Sequence, residues 1–232
     1  MSPVSTLLSI FVDPVKAMQA VLERSMIWLP LLLMTLGTAA VMVWYYQMVD
    51  FPWLQDQMLA ASGQTDPQAL EAAKGFMTHG LMMGGAAVSI LIFVPVMLLL
   101  ISVYYLLAAK VIGNDLGFGK WFAFSTWTAA PTLLVIPAMV VQILLASNGQ
   151  LAPDALNPLT LNFLLFHVPA TSPWAGLLNA INIPSLWATL VAIIGYKVWT
   201  AKSTPTSAFI VLLPQIVIYG IWAVIAVLRS GA

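Results

Sequence analysis

Five long apolar stretches alternate with shorter polar ones along the chain. A helix crosses the hydrocarbon core of a bilayer in about 20 predominantly apolar residues, and each stretch reaches that length. The first has Trp28 at one end and Trp44 at the other, as is typical of the two membrane–water interfaces. The pattern predicts an all-α, polytopic integral membrane protein, a bundle of five transmembrane helices in one domain over residues 1–232. The predicted spans are 26–48, 81–107, 121–146, 177–199 and 208–228.

The fourth stretch contains a proline, Pro184, and two interpretations stay open for it. Proline lacks the backbone donor that a helix interior needs, so it kinks a helix that continues past it. Alternatively, Asn182 caps a shorter helix that has Pro184 in its first turn, where the missing donor costs nothing. We favour the second interpretation, with a separate short interfacial helix over residues 173–179.

An amphipathic pattern precedes the first span. Asp13 is a typical helix N-cap, and Pro14 suits the first helical position. We predict an N-terminal interfacial amphipathic helix, with a frayed tail as the alternative. Because Lys16 follows the apolar run 6–12 instead of preceding it, we expect no cleaved signal peptide. The apolar face comprises Val15, Met18, Val21 and Leu22, and the polar face Lys16, Gln19, Glu23 and Arg24.

Composition narrows the class of protein further. Hydrophobic residues make up 61% of the 232 residues and charged residues 7%, whereas a soluble domain is about 25% charged. This balance excludes a soluble domain and a disordered chain. The formal net charge of zero gives no basic face for a nucleic acid, so we predict membrane lipids as partners. The absence of cysteine removes disulfides, thiolate metal sites and cysteine nucleophiles.

The basic residues are distributed unequally between the two sides of the membrane that the predicted spans define. Cytoplasmic loops carry an excess of Lys and Arg, which sets the orientation of a membrane protein. We therefore predict a cytoplasmic N-terminus and an external C-terminus, in the cell inner (plasma) membrane. The six residues on the N-terminal side are Lys16, Arg24, Lys110, Lys120, Lys197 and Lys202, against Lys74 and Arg229 on the other.

The sequence contains few residues that are typical of catalysis, ion transport or the binding of metals and phosphates. No charged residue lies in the middle of a predicted span, although such residues usually mark proton relays and ion paths. His79 and His167 are far apart along the chain and lack a third ligand nearby, so we interpret them as interfacial residues. The stretch Gly113-Asn-Asp-Leu-Gly-Phe-Gly-Lys departs from a phosphate-binding loop at Asn114 and Trp121, and we interpret it as a turn. We predict no enzymatic activity, cofactor or metal.

Small residues on two spans predict close helix packing. Gly80 and Gly84 form a Gly-x-x-x-Gly pair, and Ala188 and Ala192 offer a similar face on the fourth span. Helices in lipid associate through such close approaches. We predict packing within one bundle, with a homo-oligomer or a membrane-protein partner as the alternative, and expect Gly84→Leu to destabilise the protein.

Pro214 interrupts the fifth span and leaves a backbone carbonyl that needs a local partner. Gln215 is the amide side chain closest to mid-membrane in the predicted spans. We predict that Gln215 satisfies the interrupted backbone, and we keep the lining of a transport pathway as its alternative role.

Aromatic, glycine and proline patterns recur along nearly the whole chain, in the stretches Phe11-Val-Asp-Pro-Val-Lys-Ala-Met-Gln-Ala-Val, Trp28-Leu-Pro-Leu-Leu-Leu, Lys120-Trp-Phe-Ala-Phe-Ser-Thr-Trp, Leu186-Trp-Ala-Thr, Ile194-Gly-Tyr-Lys and Leu212-Leu-Pro. Together these stretches resemble bacterial members of the Yip (Ypt-interacting-protein) family. The resemblance implies five spans with a cytoplasmic N-terminus. Eukaryotic relatives act in vesicle traffic with small GTPases through a longer cytosolic arm, whose Asp-Leu-Tyr-Gly-Pro motif is missing here, so the resemblance does not extend to GTPase binding.

Two functional hypotheses follow. The first is a non-enzymatic protein that organises membranes or binds other proteins, favoured by the resemblance and by the lack of reactive groups. The second is a transporter or lipid-moving protein, favoured by the proline-interrupted spans.

Overall fold

A computed structural model describes residues 1–231, and most of these residues are helical. Five of the helices in this range are long and apolar enough to cross a membrane, which confirms the predicted class and number of spans. They are α3 (Trp28–Met48), α6 (His79–Val111), α7 (Phe118–Leu145), α9 (Ile183–Thr200) and α10 (Thr204–Ser230).

The shorter helices lie before and between the spans. Helix α1 (Pro3–Val12) and helix α2 (Pro14–Glu23) precede α3. Helix α4 (Phe51–Ala61) and helix α5 (Pro67–Phe76) connect α3 to α6, and helix α8 (Ala175–Ala180) precedes α9.

The fourth span begins later than the predicted range 177–199. Pro184 lies in the first turn of α9, and α8 is a separate helix, as in the interpretation that we favoured. Ile181 between them is extended, and its carbonyl accepts a hydrogen bond from the Leu161 amide at 2.8 Å. The prediction of one continuous helix over 177–199 is therefore wrong, because the chain leaves the helical conformation at Ile181.

Helix α2 confirms the predicted cap, since the Asp13 carboxylate accepts a hydrogen bond from the Lys16 amide at 3.1 Å. Met18 and Val21 are buried, whereas Val15 on the same predicted face is exposed.

Helix α1 was not predicted. Its start has the same chemistry, because the Ser2 hydroxyl accepts from the Ser5 amide at 3.2 Å and Pro3 takes the first position.

The chain divides into two compact units. The first comprises 1–36, 92–133 and 184–221 and is organised around large buried aromatic side chains. The second comprises 37–91, 134–183 and 222–231 and has its own core, in which the Tyr45 hydroxyl donates to the Leu151 carbonyl at 2.7 Å.

An ion pair joins α4 to α5 at the surface of the second unit. Lys74 Nζ lies 2.8 Å from the Asp56 carboxylate, and this hydrogen-bonded carboxylate raises the pKa of the lysine. Because both groups are solvent-exposed, the pair contributes little to stability.

The predicted packing at Gly80 and Gly84 is wrong for contacts within this chain. Both glycines are exposed, and a Cβ built on either would meet no atom within 4 Å. Packing of this face against a second copy stays a prediction. On α9, Ala192 is buried and Ala188 is partly buried, and the close packing predicted for this face stays a prediction.

Candidate functional site

Five aromatic side chains form the centre of the first unit, and we call them the aromatic cluster. Four of them pair at helical spacing on two helices, i and i+3 on α7 and on α9, and the fifth is on α6. The Trp121 ring centroid lies 5.5 Å from those of Tyr196 and Trp199, and the Phe124 centroid lies 4.9 Å from that of Tyr105. Such edge-on and tilted contacts add to the stability that burial already supplies.

Helix α2 packs against the aromatic cluster at a glycine. A Cβ on Gly195 would lie 2.9 Å from Met18 Cε and 3.0 Å from Phe124 Cε2. Since only glycine lacks that atom, Gly195 is what allows α2 to approach α9 so closely.

Three side chains of α7 and α9 also donate hydrogen bonds to backbone carbonyls of the N-terminal segment. Trp199 Nε1 donates to the Met18 carbonyl at 2.9 Å, and Lys120 Nζ donates to the Leu22 carbonyl. The Leu22 carbonyl is in the last turn of α2, where the helix offers no amide partner and favours a cation.

The third donor meets a carbonyl that a proline leaves unpaired. Trp127 Nε1 donates to the Met26 carbonyl, whose i+4 residue is Pro30 and has no N–H. The three accepting carbonyls recur every four residues. They therefore fix one face of the segment between α1 and the first span.

Helix α1 turns one face towards this core and the opposite face outward. Thr6 and Ile10 are buried, whereas Val4, Leu8 and Val12 are 60%, 65% and 83% exposed. The exposed residues recur every four positions and form a continuous apolar stripe, which we call the α1 stripe. All three residues of the stripe are aliphatic, so the outward face of α1 is apolar along its length.

A second candidate site is a cavity of about 190 Å³ among α6, α7, α9 and α10 in the first unit. Gln215 Nε2 donates to Thr189 Oγ1 at 2.9 Å in its wall. Thr189 Oγ1 itself donates to the Ser185 carbonyl, and Ser125 Oγ to the Trp121 carbonyl. The polar side chains of the lining are Tyr105, Ser125, Thr128, Thr132, Ser185, Thr189 and Gln215, and the small residues Ala188 and Ala192 also line it.

The carbonyl that Pro214 leaves unpaired is that of Ile210, four residues earlier. The Tyr104 hydroxyl donates to it at 2.6 Å. Gln215 was predicted to satisfy this interrupted backbone, and that prediction is wrong because Tyr104 does so. Gln215 instead contacts the cavity that it was proposed to line as a pathway candidate.

The two histidines have different local surroundings. His79 Nε2 is 2.7 Å from the Tyr46 carbonyl, and His167 follows a π-helical turn in a left-handed conformation with φ 52°. Among residues 1–231 there is no group of three His, Cys, Asp or Glu side chains placed to hold a metal ion.

The α1 stripe and the donors from α7 and α9 were not predicted from the sequence. The signal for the stripe is the four-residue recurrence of Val4, Leu8 and Val12. The signal for the donors is weaker, because the bonded groups are 98 to 181 residues apart along the chain.

Comparison with known proteins adds one finding. A family model described as the Yip1 domain matches residues 8–226, which is nearly the whole chain. No curated protein and no solved structure matches it.

Proposed function

The chain belongs to the Yip family of membrane proteins, and on that premise we propose that it is a non-enzymatic membrane organiser whose N-terminal helices lie in one leaflet. The observation that carries this proposal is helix α1, whose inner face is buried in the first unit while the α1 stripe faces outward. An apolar helix face in the interface enters the boundary between headgroups and acyl chains by about 5–10 Å. Because hydrogen bonds and packing hold the following helix to the spanning helices, the inserted volume stays in a single leaflet beside the protein.

The remodelling of vesicles tests this proposal. Protein reconstituted into large liposomes is expected to convert them into smaller or tubular vesicles, as measured by electron cryomicroscopy. Leu8→Asp places a charge on the stripe, so we expect remodelling to be lost while the thermal midpoint is unchanged, since Leu8 is exposed.

The matched control is Gln19→Asp, which adds the same charge at an exposed polar position of α2. This variant should remodel vesicles like the parent protein. Equal remodelling by the parent and Leu8→Asp would contradict the proposal, and so would equal loss in both variants.

We further propose that the N-terminus is cytoplasmic and the C-terminus external, which places the α1 stripe in the cytoplasmic leaflet of the inner membrane. The division of six basic residues against two supports this orientation. Reporter fusions at Gly63 and Gly113 should report opposite sides, with Gly113 in the cytoplasm. If both fusions report the same side, α6 does not cross the membrane.

The cavity beside Gln215 favours a second candidate function, the movement of a neutral solute or lipid. Four of its hydroxyls, those of Ser125, Thr128, Thr132 and Thr189, donate to carbonyls three or four residues earlier in their own helices and so present acceptor lone pairs to the cavity. Reconstituted protein is expected to pass neither small solutes nor lipid above the rate of empty liposomes.

Gln215→Leu separates the two functions. The measured interhelical hydrogen bonds in membranes average about 0.6 kcal/mol, so this variant should fold and lose little stability. Flux through the parent protein that disappears in the folded Gln215→Leu variant would establish transport and overturn the organiser proposal.

A further inference from the structure

An apolar groove runs between the end of α6 and the start of α10. Its volume is about 430 Å³, within the range of about 300–1,000 Å³ typical of small-molecule sites. The Tyr104–Ile210 hydrogen bond, at 2.6 Å, holds the two helices together beside it. Two rim residues, Val111 and Phe209, are 87% and 64% exposed, so the groove opens outward. Its lining includes Leu107, Ala108, Ile112, Thr206 and Leu213.

The ends of three helices meet near the mouth of this groove. The Asn114 amide donates to the Trp199 carbonyl at 3.2 Å, which fixes the turn after α6 against the end of α9. Lys197 Nζ donates to Thr204 Oγ1 at 2.9 Å, which brings an ammonium group to the first residue of α10. Thr206, two residues further, lines the groove. The apolar groove and a basic surface are therefore adjacent.

Three lysines belong to the helix ends and the turn that meet here: Lys110 in the last turn of α6, Lys197 on α9, and Lys202 between α9 and α10. In the described range 1–231 none of them has a carboxylate within 4.0 Å. Asp115 is the acidic residue in the neighbouring turn, and it is exposed. An excess of unpaired ammonium groups beside an acyl-sized apolar groove complements a phosphate that carries a hydrocarbon chain.

We propose that the groove binds one acyl chain of an anionic glycerophospholipid, whose phosphate is held by Lys110, Lys197 and Lys202. Uncharged side chains line the groove and the charges lie at its end, so the lipid is oriented with its headgroup level with the lysines. In a membrane-organising protein, such a site selects anionic lipid around α6 and α10.

Competition between lipids tests the site. Full-length protein in neutral detergent is mixed with equal amounts of phosphatidylglycerol and phosphatidylcholine, and the retained lipid is counted by native mass spectrometry. The parent protein should retain phosphatidylglycerol preferentially. Replacing Lys197 and Lys202 by glutamine should weaken retention on the order of fivefold per lysine, since a basic residue near a lipid surface contributes about 1 kcal/mol. The matched control Lys74→Gln should retain lipid like the parent, because Lys74 is on α5 in the second unit.

Ala108→Phe should fill the groove and abolish retention of both lipids, and Leu107→Trp serves the same purpose if Ala108→Phe does not fold. The proposal is overturned if a folded groove-filling variant retains phosphatidylglycerol, or if the double lysine variant keeps the parent's preference. It is also overturned if inorganic phosphate displaces the lipid, or if a second copy of the chain occupies the groove. Because the groove shares no residue with α1, its failure and the failure of the vesicle experiment are distinguishable.

Discussion

Gly195→Leu is expected to detach helix α2 from the aromatic cluster and to lower the thermal midpoint of the protein in detergent. The glycine Cα already faces Met18 and Phe124 at a distance where a Cβ would lie 2.9 to 3.0 Å from them. A leucine adds three further carbons in the same space, and the ring of Phe124 is held by its neighbours in the cluster. Overpacking of this kind costs about 1–3 kcal/mol, and occasionally more.

Amide hydrogen exchange shows which part of the protein Gly195→Leu destabilises. In Gly195→Leu the backbone amides of residues 14–23 should exchange faster than in the parent, because α2 loses its packing surface. The matched control is Gly84→Leu, which makes the same substitution where a Cβ meets no atom within 4 Å. This control should leave the midpoint unchanged in monomeric protein. An equal loss of stability in both variants would contradict the account of α2.

Gly149→Ala should have a comparably large effect in the second unit. Gly149 has φ +71°, a conformation that costs an L-residue roughly 1–2 kcal/mol. Its Cβ would also lie 2.9 Å from the Met48 carbonyl oxygen and 3.0 Å from the Asp50 nitrogen. Because these are backbone atoms where α3 ends and α4 begins, they cannot rotate away as a side chain does.

The matched control for this prediction is Gly113→Ala. Gly113 has φ +79°, but a Cβ there meets no atom within 4 Å. Gly113→Ala should therefore lower the free energy of unfolding only by the cost of placing an alanine in the left-handed conformation. Gly149→Ala should lower it by clearly more, because the steric contact adds to that cost. Equal losses in thermal unfolding would show that the contact with α3 contributes nothing.

Local signals in the sequence were sufficient for the number of spans and for the cap of α2. The length of each apolar stretch determines a span, and Asp13-Pro14 starts a helix through contacts three residues apart. Pro184 was placed correctly in the first turn for the same reason. These features depend on neighbours in the chain, which the sequence displays directly.

The site depends on contacts between distant residues, and there the local patterns were insufficient. The Gly80 and Gly84 pair would allow two backbones to approach closely, but it does not specify a partner, and none approaches it within this chain. Pro214 correctly indicated an unpaired carbonyl, yet its partner Tyr104 is 106 residues from Ile210. The two residues meet only because α6 packs against α10, and the sequence alone does not reveal that packing.

The depth of Leu8 in the bilayer is the most direct test of the proposed function. The chain contains no cysteine, so single-cysteine variants accept a spin label at one chosen position. In liposomes, a label at Leu8→Cys should be accessible to dissolved oxygen and protected from a water-soluble nickel complex. A label at Gln19→Cys, on the exposed polar face of α2, should show the reverse. If the nickel complex reaches the Leu8 label as readily as the Gln19 label, the α1 stripe does not enter the membrane and the organiser account is wrong.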